Sequence, residues 1–197
     1  MKANVLAFLS LFVATSLFAQ ESKWHYTEEF YFVKEVPVKE YRGHQFRYEI
    51  AVKSMPGDSL SKPRIHGINV GKGPDDFLRS NFSLETRQEQ DWTVYTIVGT
   101  IDPEAFKLWF YTAVNGNGEF YFDDISFYVE VSPGYWKQLP LFNASFENGK
   151  KNIFDGFYVS GRNSKWVQTK ITNTVVKSGQ KALMVNSTGQ KPIAFNY

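Results

Sequence analysis

The chain has 197 residues, and its 22 Lys+Arg against 20 Asp+Glu leave a formal charge of only +2. That balance argues against a nucleic-acid binder held by phosphate neutralisation, and 43% hydrophobic residues argue against a disordered chain. Phe, Tyr and Trp together far outnumber Leu, which points to an all-β core, and the absence of Cys excludes disulfides, thiolate chemistry and Cys-ligated zinc.

At the N-terminus a short basic start, Met1-Lys2, precedes an almost wholly apolar run over 5–18 that ends in Ser16-Leu17-Phe18-Ala19-Gln20. The run is short of the roughly 20 residues a membrane-crossing helix needs, but it suits a secretory leader. Residues 1–19 are therefore expected to be a signal peptide cleaved after Ala19, and 20–197 to be exported to the periplasm or the extracellular space. Later apolar runs are all broken by charge or Gly, so no membrane-spanning segment is expected.

Downstream, alternating apolar and polar residues separated by turn chemistry predict strands near 28–38, 44–53, 64–70, 92–101, 106–114 and 119–131. Shorter strands are expected near 139–146, 156–160, 165–170, 173–177, 181–186 and 192–196. Asn115-Gly116-Asn117-Gly118 reads as the best hairpin turn, because Asn-Gly accepts the positive φ of a tight reversal. Helix signals are nearly absent, with at most one turn at 102–106. Strand 106–114 is apolar on both faces: Leu108, Phe110 and Val114 point one way, Trp109, Tyr111 and Ala113 the other. Such a strand is either covered twice or offers one face to a ligand. Along 119–131 the apolar parity slips at Asp123-Asp124, and a β-bulge there would keep both halves on one core.

The run Gly116-Asn117-Gly118-Glu119-Phe120-Tyr121-Phe122-Asp123-Asp124-Ile125-Ser126-Phe127 resembles the closing strand of the galactose-binding-like jelly-roll sandwich, a fold of many bacterial carbohydrate-binding modules. It also resembles accessory domains of secreted hydrolases and C-terminal-processing-type serine peptidases. Residues 40–49 and Asp91-Trp92-Thr93-Val94-Tyr95 resemble further strands of such modules, and 141–149 resembles their opening strand, here placed after the closing one. The resemblance implies an all-β jelly-roll β-sandwich of two antiparallel sheets with circularly permuted strand order, forming one domain over 20–197. The alternative is the back part of one module over 24–132 followed by the front part of a second over 140–197. In the permuted sandwich Ile193-Ala194-Phe195 is expected to pair near Phe30-Tyr31-Phe32.

Catalytic signals are thin. His25, His44 and His66 are scattered, there is no Gly-x-Ser-x-Gly elbow, zinc-binding His-Glu-x-x-His or phosphate loop, and the paired carboxylates Asp75-Asp76 and Asp123-Asp124 read as turn and surface charge. No enzyme is expected. The resemblance implies a structural calcium on Asp123, Asp124 and Glu147, if the permuted strands are neighbours, against the alternative of no metal. Sugar-binding folds of this kind stack aromatic rings on the apolar face of a pyranose, which nominates Trp109 and Tyr111 first, then Tyr158 and Trp166. The expectation is thus a secreted, non-catalytic carbohydrate-binding module whose partner is a glycan or polysaccharide. The alternative is an accessory or protein-interaction sandwich without sugar affinity, associated with a secreted hydrolase or peptidase.

Overall fold

Alternation sets the long strands: in 45–52 Phe46, Tyr48, Ile50 and Val52 are buried in the core on one side of the pleat, while Ala51, on the other side, is buried in a small outer cluster. The computed structural model describes residues 24–25, 29–73, 76–148, 152–160 and 165–194, so the expected leader lies outside the described residues. The strands are β1 (Trp24–His25), β2 (Glu29–Pro37), β3 (Gln45–Pro56), β4 (Lys62–Val70), β5 (Ser83–Glu89), β6 (Trp92–Thr100), β7 (Lys107–Asn115), β8 (Gly118–Ser132), β9 (Tyr135–Leu139), β10 (Tyr158–Ser160), β11 (Val167–Thr172), β12 (Ala182–Ser187) and β13 (Ile193–Ala194). Among the described residues there is no α-helix, only a 3-10 turn at Lys39–Tyr41.

The molecule is a sandwich of antiparallel sheets. One sheet has four strands in the order β10-β2-β7-β4, and the other has seven, β11-β12-β8-β3-β6-β5 with β9 also on β8. Between them lies one phenylalanine-rich core. Tyr48 of one sheet stacks on Phe110 of the other at 3.9 Å, and Phe32 meets Phe122 at 5.3 Å and Phe146 at 6.1 Å. The stretches before and after Pro133-Gly134 both feed this interior: β10 extends the four-stranded sheet beside β2, and β12 lies against β8. A compatible architecture is a jelly-roll-like sandwich.

The parity slip is a bulge. Glu49 pairs with Ser126 and Ala51 with Asp123, so two residues of β8, Asp124 and Ile125, oppose Ile50 alone, and Asp124 takes φ 51°. Phe120 and Phe122 before it, and Ile125, Phe127 and Val129 after it, thereby all reach the core.

Four expectations need correction. The Asn-Gly turn after β7 is not a hairpin, because β7 and β8 belong to different sheets. Val114 and Phe120 both face the core, so the chain arches over it, and Asn117 is tied to neighbouring loops by bonds to Ser61 Oγ (2.8 Å) and Gln190 O (3.0 Å). The segment 139–146 is not a strand. Instead β9 ends at Leu139 and turns follow, and the β8–β9 hairpin reverses tightly at Pro133-Gly134. Residues 173–177 are bends over the outer side of the large sheet, where Val175 packs on a second small cluster of Ala51, Trp92, Val94, Tyr121 and Met184. Finally, Ile193–Ala194 pairs with Trp24–His25, whereas the place beside Tyr31–Val33 is taken by β10; Phe195 lies outside the described residues.

Candidate functional site

The outer face of the four-stranded sheet carries the ring-bearing residues. Register places Tyr158, Val33, Tyr111 and His66 in one row across β10, β2, β7 and β4, and Glu35, Trp109 and Ile68 in the next. Side chains at paired positions share a face, so the rings form a contiguous surface. Trp109 lies 6.2 Å from Tyr158, 6.3 Å from Tyr111 and 5.9 Å from Phe77. Tyr111 in turn stacks flat against His66 at 4.8 Å and sits 5.8 Å from Tyr31. Tyr158 and Phe77 are 59% and 54% exposed, so the surface is open to solvent at both sides of Trp109. Burial holds the Tyr111 hydroxyl above its ordinary pKa, with Tyr31 contributing.

Trp109 is fixed in place. Its Nε1–H donates to Glu35 Oε2 at 2.8 Å, the same oxygen accepts from Lys107 Nζ at 2.8 Å, and that ammonium stands 5.0 Å from the indole centroid. A ring held in this way loses little rotamer freedom when a planar partner settles on it. Beside Tyr158, a cleft of about 500 Å³ opens along the edge of β2, lined by Lys34, Glu35, Phe142, Gly156 and Phe157 among others.

Of the residues nominated from sequence, Trp109, Tyr111 and Tyr158 come together. Trp166 does not: it precedes β11 at the edge of the seven-stranded sheet, with Lys165 Nζ 4.4 Å from its ring and Gly189 so close that a Cβ there would stand 2.9 Å from the indole. Tyr31, His66, Phe77 and Lys34 escaped sequence reasoning. Tyr31 and His66 become neighbours of Tyr111 only through register, whereas Lys34 interrupts the apolar stripe Phe30-Phe32-Val36, a signal visible in the sequence.

Asp123, Asp124 and Glu147 also converge, on the loop 177–181, but as acceptors for it. Asp123 Oδ2 takes the amides of Lys177 (2.8 Å) and Ser178 (3.1 Å), and Oδ1 takes its neighbour's amide at 2.8 Å. Asp124 accepts from Ser178 Oγ, and Glu147 Oε1 accepts from the amides of Gln180 (2.7 Å) and Lys181 (2.8 Å). Among the described residues no three His, Asp or Glu groups gather as a cation would require. These carboxylates latch the loop through its own N–H groups.

His44 Nδ1 lies 2.9 Å from the Glu130 carbonyl, the backbone carbonyl of Asp76 closes a turn by accepting from Gly71 N–H at 2.7 Å, and Asp75 and the side chain of His25 lie outside what is described. No helix among the described residues is long and apolar enough to cross a membrane. Compared with protein-family models, curated proteins and solved structures, the chain gives no significant match in any of the three.

Proposed function

We propose that this chain is an exported, non-catalytic glycan-binding sandwich that stacks sugar rings on Trp109, Tyr111 and Tyr158. The observation that carries the proposal is the continuous, solvent-facing ring surface of the four-stranded sheet, with its central indole pre-oriented by Glu35 and Lys107. An indole offers a flat apolar face to the C–H side of a pyranose, and polar groups at its rim can orient hydroxyls. Such a surface is also more than burial requires: Leu108, Phe110 and Val114 on the opposite side of β7 already supply the core. The resemblance of 116–127 to the closing strand of carbohydrate-binding modules points the same way, as does the leader-like run over 5–18.

Affinity electrophoresis of residues 20–197 through a broad polysaccharide panel tests the proposal. Retardation is expected in at least one gel. Trp109→Ala should weaken it tenfold or more, about 1.4 kcal/mol, while Trp166→Ala, outside the ring surface, should leave it unchanged. Free migration of the wild type through every gel would instead assign the chain to protein interaction, as an accessory domain of a secreted hydrolase or peptidase.

A further inference from the structure

The cleft beside the ring surface contains a buried cation with no counter-charge. Phe30, Phe32 and Val36 of β2 turn toward the core, and Lys34 turns with them at only 4% exposure. Its Nζ donates to the carbonyl oxygens of Phe142 (2.5 Å) and Gly156 (3.1 Å) and lies 4.4 Å from the centroid of Phe157. Two of three ammonium donors are thus spent on neutral acceptors. Every ion pair among the described residues lies elsewhere. Burial lowers the amine to about 8, which still leaves it mostly protonated at neutral pH.

A buried charge is costly when nothing opposite pairs with it, and an anion supplied from outside removes that cost. The cleft is shaped to admit one. Phe142, 62% exposed, and Phe157 wall it, and Tyr158 joins it to the ring surface. Gly156 keeps the approach open, since a Cβ there would stand 2.7 Å from the Phe142 ring and 3.3 Å from Lys34 Nζ. Glu35 also lines the cleft, but its Oε2 is held by Lys107 and Trp109, which offsets its charge.

We infer that the glycan is anionic: a carboxylate or sulfate on the sugar enters this cleft and accepts the remaining donor of Lys34 while the adjoining ring stacks on Tyr158. The inference rests on the glycan-binding proposal and narrows its ligand class. The test compares, for wild-type 20–197, polygalacturonate with its fully methyl-esterified form, and a sulfated galactan with its desulfated form. At least one charged polymer is expected to bind tenfold or more tightly than its neutral twin, and the pair showing that difference identifies the group as carboxylate or sulfate. Lys34→Met should erase the preference while retaining whatever neutral binding Trp109 supports. If that variant does not fold, the wild-type pairs decide by themselves. Equal affinity for charged and neutral forms overturns the anionic inference alone; absence of binding to every polymer overturns the glycan proposal beneath it.

Discussion

Asp123 shows how a single side chain can serve a fold at some cost to itself. It is fully buried, and although three amides donate to it, desolvation outweighs them and pushes its pKa from 3.8 to about 6. A folded-state pKa above the unfolded value means that folding takes up a proton between about pH 4 and 6. The contribution of Asp123 is therefore most favourable below pH 4 and falls as pH rises through 6. Removing the carboxylate nevertheless leaves three part-buried N–H groups without their acceptor. Asp123→Ala is expected to lower stability by about 1–3 kcal/mol in urea unfolding at pH 7, and to flatten the pH 4–6 slope that the wild type shows. The same residue illustrates the limit of local reading: the Asp-Asp pair was legible as the site of a parity slip, and the bulge is there. Its three amide partners were not, because two of them come from Lys177 and Ser178, more than 50 positions along the chain.

Strands differed in how plainly they announced themselves, and the reason is burial. β3 and β6 alternate because successive residues turn to opposite sides of the sheet, Tyr95 and Ile97 of β6 to the core and Trp92 and Val94 to the small outer cluster, so these strands could be read directly. β5, Ser83–Glu89, is exposed along almost its whole length and carries no such pattern, so nothing in its sequence predicts it. It exists because β6 offers it a full ladder of partners from Trp92 to Val98. Its polarity has a use: β5 ends the large sheet, and an edge with Glu85, Arg87 and Glu89 resists pairing with a second molecule. Arg87 is also bound to Glu49 (2.8 Å) and Glu89 (2.7 Å), exposed pairs worth little to stability on their own. Replacing Glu85 and Arg87 together by Val is expected to produce concentration-dependent association in light scattering. An unchanged scattering mass would show that this edge needs no protection.

At the scale of the whole molecule, what matters is that two distant stretches share one interior. Phe146, in the stretch after the β8–β9 hairpin, stacks on Phe157 at 5.3 Å and abuts Phe32 from the opening of the chain. Phe146→Ala should therefore cost about 3–5 kcal/mol, read as a lowered urea midpoint of one cooperative transition. A second transition belonging to the later stretch alone would show that the halves fold separately. Fold class, the approximate course of most strands and the bulge were determined by the sequence itself, since hydrophobic period and turn chemistry are local properties. Tertiary structure alone decided which strands are neighbours. The Asn-Gly turn satisfies its backbone equally well as a hairpin or as an arch between sheets, and only the shared core behind Val114 and Phe120 selects the arch. For the same reason Trp166 fell away from the ring surface while Tyr31, His66 and Lys34 joined it or its cleft. Proximity across a sheet is set by register between segments far apart in the chain, and no local pattern encodes it.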